Sequence, residues 1–202
     1  MQAPDIDLLA LTHGQARWVL GYLGLHAGED EARFDAYLKS LRRDGVPFAK
    51  DELGVGAGHN LSYRFVHLME LGVALAFRTQ GILSRHIVGL LASYRTVLRP
   101  LYRQAWFERD SERGSPRLLT IEGVPKQRKI SGMYLDLSPT YSATAMVRVI
   151  EPKLLGPAEA YEYFMAHHRQ AYPRPPLPIS QYAEDIVRLA DAAPEFKRGR
   201  PA

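Results

Sequence analysis

LGVGAGHNLSYRFVHLMELGVALAFRT, residues 53–79, joins three glycines spaced by two, Gly54, Gly56 and Gly58, to the longest apolar run of the chain. Its reading decides the fold. A glycine-rich segment ahead of a helix is a phosphate loop, a hairpin tip beside a helix-turn-helix, or a plain connection. A dinucleotide fingerprint is G-x-G-x-x-G after a strand. Here the third glycine comes one position early, no hydrophobic strand precedes it, and no Gly-Lys-Ser/Thr follows. The nucleotide reading therefore falls away. The glycines are left as a tip or loose connection, where positive φ is tolerated without a Cβ penalty. The second half of the stretch predicts a helix capped by Asn60 or Ser62, with Phe65, Leu68, Met69, Val73 and Ala76 on its buried stripe. His67 and Glu70 interrupt the run, which stays far short of the ~20 apolar residues that span a bilayer.

Working outward toward the N-terminus, two more helices are predicted. Residues 1–11 read as a loose, flexible lead-in. In "THGQARWVLGYLG" (12–24), Thr12 and Gln15 form a capping box and Ala16, Val19, Leu20 and Leu23 one apolar stripe, with Gly24 as the stop. The connection "LHAG" is short. A second helix is expected over 29–44, carrying Phe34, Tyr37, Leu38 and Leu41 on one face and ended by Gly45 and Pro47. Two helices so joined form an αα or helix-turn-helix unit.

Toward the C-terminus "QGIL" breaks the third helix and Ser84 caps a fourth over about 85–107. Ile87, Leu90, Leu91, Tyr94, Val97, Leu98, Leu101 and Tyr102 recur at helical spacing, and Pro100 is expected to kink it. So long an amphipathic helix either pairs with its copy in a dimer or packs under the C-terminal segment. The charged stretch "ERDSERGSPR" (108–117) reads as a linker. Beyond it the period changes from 3.6 to 2: "RLLTIEG", "KISGMYLDL" and "ATAMVRVI" predict short strands, with turns at "GVPKQ" and "SPTYS". "GPAEAYEYFMAHHRQ" predicts a helix with Pro157 in its first turn, "YPRPPLP" an extended connector, "SQYAEDIVRLADAA" a last helix, and "PEFKRGRPA" a frayed basic tail. The expected fold is mainly α with a small α+β C-terminal part. A helix-turn-helix domain with a long C-terminal helix covers 12–107, a domain of unknown role with a short antiparallel sheet and helices covers 117–192, and 1–11 and 193–202 are flexible tails.

The chain of 202 residues holds no cysteine, which excludes disulfides, thiolate metal sites and cysteine nucleophiles. The acidic start has no basic region ahead of an apolar stretch and does not read as a signal peptide, so a cytoplasmic protein is expected. Net charge is +4, unevenly spread. Residues 1–60 carry 6 basic and 9 acidic groups, 61–129 carry 12 and 5, and 130–202 carry 8 and 8. A basic middle third attracts nucleic acid or another polyanion, or is an arginine-rich solvated face.

Other chemistries find little support. His167 and His168 are adjacent and diverge on a helix, the remaining histidines are scattered, and no HExxH spacing occurs, so no metal is expected. "DLSPTYS" holds Asp136, Ser138, Thr140 and Ser142 without a G-x-S-x-G elbow and reads as a turn. No catalytic residue and no cofactor is expected. Tyr161 and Phe164 read as core, with a small-molecule pocket near Tyr134 as the other reading.

The element order, together with "RFDAYLKSLRRDGVP" (33–47), "GHNLSYRFVHLMELGVALAFRTQGI" (58–82) and "LSRHIVGLL" (83–91), resembles the MerR-like winged helix-turn-helix family over about residues 12–107, most closely over 33–102. The resemblance implies a bacterial, sequence-specific transcriptional regulator that binds double-stranded DNA as a homodimer. Its second helix would lie in the major groove and its wing on the flanking backbone. Carried over, Arg33 and Tyr37 fall in the recognition helix and Arg42 and Arg43 at its end. Lys50, His59, Tyr63 and Arg64 fall at the wing and the helix behind it. Glu29, Asp30, Glu31 and Asp35 depart from the family pattern: carboxylates accept from a cytosine amino group but repel phosphate. They favour the alternative of a protein-interaction module on the same fold. A small-molecule-binding or enzymatic role centred on the C-terminal part is the third reading. An effector or protein partner is unspecified.

Overall fold

A computed structural model describes residues 5–26, 28–49, 51–53, 61–119, 128–142, 147–167 and 176–196. The chain is mainly helical and divides into two compact units, Met1–Arg95 with Glu184–Ala202, and Thr96–Ala183. The division falls inside the long fourth helix rather than at 108–117, and the last residues return to the first unit. Among the described residues no helix is long and apolar enough to cross a membrane.

The first unit is built from α1 (His13–Tyr22), α2 (Glu31–Arg43) and α3 (Phe65–Thr79), with the start of α4 (Ser84–Glu108) and the end of α6 (Ile179–Asp191). Helix ends follow local chemistry. Thr12 Oγ1 accepts from the Gln15 N–H at 3.3 Å while Gln15 Oε1 accepts from the Thr12 N–H at 3.0 Å, completing the capping box. Asp30 caps α2 through the Arg33 N–H at 2.8 Å, so α2 starts two residues later than expected. It closes in a Schellman motif: Gly45 has φ of 93°, its N–H reaches the Arg42 carbonyl, and the Val46 N–H reaches the Leu41 carbonyl. Gly81, with φ of 78°, ends α3 in the same way.

Three expectations are corrected here. The lead-in is ordered from Asp5 onward. Ile6–Leu8 form a 3-10 turn with Ile6 buried, and Leu11 exchanges two backbone hydrogen bonds with Tyr63, at 3.0 and 2.8 Å. At the other end Phe196 packs against Gly14, so the tail is in place up to that residue. The N-cap of α3 is Arg64, not Ser62, and Asn60 lies outside the described residues. Here His67 Nδ1 accepts from the Arg64 N–H at 3.2 Å, reaching back from the first turn. Finally, α3 has no solvent face. Every residue from Phe65 to Phe77 is buried, His67 and Glu70 included, which makes it the central helix of a core rather than an amphipathic one.

Helix α4 runs unbroken for 25 residues through Pro100. Ile87, Leu91, Leu98 and Tyr102 of its apolar stripe are buried within the single chain, whereas Val97 is exposed. Less of the stripe is left for a second copy than its sequence suggests.

The second unit carries three antiparallel pairs: β1 (Arg117–Leu119) with β2 (Arg128–Ile130), β3 (Tyr134–Asp136) with β6 (Lys153–Leu155), and β4 (Pro139–Ser142) with β5 (Val147–Ile150). The turn expected at 138–142 is corrected to strand β4, while the turn at "GVPKQ" lies outside the described residues. α5 (Pro157–His167) opens with Pro157 as expected. "KISGMYLDL" is not one strand, because Gly132 (φ 75°) turns the chain between β2 and β3. There the Met133 N–H donates to Ser180 Oγ at 2.8 Å, and that hydroxyl donates to the Ala105 carbonyl at 2.7 Å, tying α6 to α4 within this unit. A Cβ on Gly132 would stand 2.8 Å from Ser180 Cβ. Gly132→Ala is therefore expected to destabilise the unit by about 1–3 kcal/mol from backbone strain, before the clash is added. Each unit holds one tryptophan, Trp18 and Trp106, so urea unfolding followed by Trp106 fluorescence in a Trp18→Phe background reads this unit. An unchanged midpoint would refute the close packing.

Candidate nucleic-acid interface

Helix periodicity places Ala32, Arg33, Ala36, Lys39, Ser40 and Arg43 on one face of α2. The side chains of Arg33, Lys39 and Arg43 are 79%, 56% and 78% exposed. Small residues between the cations leave the helix backbone free to approach a flat or grooved surface. From Arg33 to Arg43 the face is about 15 Å long at 1.5 Å per residue. Arg33 Nε is 3.4 Å from Asp30, and Arg43 donates to Ser40 Oγ at 3.2 Å; both partners lie within the same helix or its cap. Lys39 was not among the expected contacts, although its spacing of four from Arg43 was the available signal.

The carboxylates that stand against phosphate binding are largely occupied. Glu29 accepts two bonds from Arg78. Asp30 serves as the cap. Asp35 binds Lys39 Nζ at 2.6 Å and His13 Nε2 at 2.9 Å. Burial raises the Asp35 pKa, but the hydrogen bonds from Lys39 and His13 outweigh it and hold the carboxyl below its ordinary value. Because the folded pKa is depressed, the stabilisation is present above the unfolded value of about 3.9 and is lost as pH falls through the folded one. Below about pH 4, unfolding stability is expected to fall more steeply with pH in the parent than in Asp35→Asn; parallel acid titrations by urea unfolding would remove this assignment. Glu31 remains open to solvent, 3.7 Å from Arg17.

Three of the expected contacts make contacts within the fold. Tyr63 is only 3% exposed, edge-on to Phe48 at 5.0 Å, with its hydroxyl 3.0 Å from His13 Nδ1. Since Asp35 only accepts, His13 Nε2 carries a proton toward it, and Nδ1 faces the Tyr63 hydroxyl. Burial raises the Tyr63 pKa, an effect that the facing Arg42 guanidinium, bonded to the same hydroxyl, reduces. Arg42 is thus half-buried on Tyr63 rather than on the open face. The Tyr37 ring is half-buried under Arg78, whose guanidinium carbon lies 3.7 Å from its centroid. Arg64 is exposed at the start of α3. Lys50, His59 and the glycines 54, 56 and 58 lie outside the described residues.

Part of the charge of the basic middle third is spent inside the fold. Arg78 is bound to Glu29, Arg95 to Glu70, and Arg109 lies over the Trp106 ring with Asp110 at 3.1 Å. In the second unit, just ahead of β4, the Ser138 N–H donates to Asp136 Oδ1 at 2.9 Å, and the Ser138 hydroxyl pairs with that of Tyr163.

No family model, no curated protein and no solved structure matches this chain.

Proposed function

We propose that the protein is a double-stranded DNA-binding transcriptional regulator of the winged helix-turn-helix kind. The supporting observation is the face of α2, where Arg33, Lys39 and Arg43 lie exposed in line; Arg33 and Lys39 also pair with Asp30 and Asp35, while Glu29 is bound by Arg78. The segment that leaves α2 at Gly45 returns at Tyr63, pinned to Leu11 ahead of α1. Arg33, Lys39 and Arg43 neutralise phosphate or reach guanine edges, and Arg64 adds charge at a helix N-terminus, where free N–H groups favour anions. Binding as a homodimer belongs to the same reading. The test is a fluorescence-anisotropy titration of a short duplex over a salt series, with sedimentation to give the bound stoichiometry. The second reading, a protein-interaction module, draws on Arg78, Arg95 and Arg109 being spent inside the fold; it is left standing if DNA binding is absent.

A further inference from the structure

We infer that a proton on His13 charges the open face of α2: the protonated ring becomes the counter-ion of Asp35 and frees Lys39, so the face gains a cation as pH falls. The arrangement is a shared carboxylate. One oxygen of Asp35 lies 2.9 Å from His13 Nε2 and the other 2.6 Å from Lys39 Nζ. The Asp35 side chain is 19% exposed and that of Lys39 56%, so the carboxylate sits at the edge of the face and the ammonium on it. While the ring is neutral it lends Asp35 a hydrogen bond and no charge, and Lys39 is the full counter-ion. Once the ring is protonated, Lys39 is drawn by a neutral pair instead of an anion. An exposed ammonium one helical turn from its carboxylate is among the most weakly held of ion pairs. Phosphate then competes for it on better terms.

The surroundings of His13 allow both charge states. Among the described residues, the charged and titratable groups around it are Asp35, Lys39 and Arg42 of α2 and Tyr63 ahead of α3. Arg17, one turn along α1, pairs with Glu31 instead. Asp35 favours the proton; Lys39 and Arg42 oppose it. The Tyr63 hydroxyl serves either form, because it donates to a bare Nδ1 and accepts from a protonated one. The His13 side chain is 30% exposed, so a proton reaches it without unfolding. Asp35, whose pKa lies below its ordinary value, stays ionised between about pH 5 and 8, where histidines titrate. His13 is thus a positioning residue for Lys39. The linkage is reciprocal: a phosphate that engages Lys39 leaves Asp35 to His13, so binding takes up a proton. That consequence rests on the DNA-binding reading, whereas the switch does not.

The experiment has two arms. In the free ¹³C-labelled full chain, the His13 Hε1 and Lys39 Cε signals are followed from about pH 8 to 5. Both are expected to move through one midpoint, and the Lys39 inflection should be lost in His13→Gln. A ring that stays neutral throughout, or a Lys39 signal that does not follow it, overturns the proposal. The second arm is a duplex titration at about pH 6 and pH 8. The parent should bind about fivefold more tightly at the lower pH, with a salt slope steeper by about 0.9, the share of one further phosphate. His13→Gln keeps Lys39 tied and should bind more weakly than the parent at the lower pH. Asp35→Asn leaves Lys39 free and should bind more tightly than the parent at the higher pH. The same pH dependence in the parent and both variants overturns the link to α2. No duplex binding at about 50 mM salt removes the DNA reading, and the spectra still decide the switch.

Discussion

Glu70→Ala is expected to destabilise the first unit by about 3–5 kcal/mol, and Arg95→Ala by a similar amount. Glu70 is 1% exposed on α3, and Arg95 of α4 reaches it with Nε at 3.0 Å and a terminal nitrogen at 2.7 Å. That nitrogen also donates to the carbonyl of Gly45, the residue that turns the chain out of α2. Removing either partner strands a buried charge, and this uncompensated charge, more than the lost attraction, sets the size of the loss. The double variant Glu70→Leu/Arg95→Leu should therefore be more stable than either single variant. It should still fall short of the parent by about 1–3 kcal/mol, because the Gly45 carbonyl loses its donor. Urea unfolding read by Trp18 in a Trp106→Phe background measures all three, Trp18 being in the affected unit. Single variants within about 0.5 kcal/mol of the parent would mean the pair is solvated, and the assignment would fail.

This pair also marks what the sequence could not reveal. The helix ends were legible, because the groups that decide them are neighbours: Thr12 with Gln15, and Gly24, Gly45 and Gly81 each just past a last turn. Local spacing states these rules in full. The burial of α3 was not legible. Its two polar residues look like a solvent face until their partners are known. Those partners, Glu52 for His67 and Arg95 for Glu70, lie 15 and 25 residues away. The packing of Tyr63 was not legible for the same reason: its partner His13 lies 50 residues away. The charge of the middle third was legible as a sum only. How much of it faces solvent depends on Glu29 and Glu70, residues outside any local window. Of the expected contacts, Arg33 and Arg43 sit on an open face. Arg42, Tyr37 and Tyr63 are packed into the fold, since arginine and tyrosine serve packing and recognition equally well.

Charge reversal on α2 should separate those two groups. Arg33→Glu and Arg43→Glu are each expected to weaken duplex binding by about 1–3 kcal/mol, roughly 5- to 150-fold, with little change in stability. Among the described residues their ion pairs and hydrogen bonds are to Asp30, Asp44 and Ser40 in their own helix and its caps. Lys39→Ala should reduce the slope of log affinity against log salt by about 1 if Lys39 meets a phosphate, and it also frees one side of Asp35. Tyr63→Phe runs the other way. It removes the hydroxyl between Arg42 and His13 and should cost about 1 kcal/mol of stability while leaving the salt slope unchanged. Arg188→Glu, on α6 and paired with Asp185 of its own helix, sets the baseline for a generic loss of positive charge. The parent itself should bind at about 50 mM salt at micromolar concentration and lose affinity steeply toward 200 mM, because each neutralised phosphate contributes about −0.9 to the slope. Absence of binding at the lower salt removes the DNA reading and leaves the protein-interaction reading for the same face. Binding that survives both arginine reversals but falls with Arg188→Glu moves the footprint off α2.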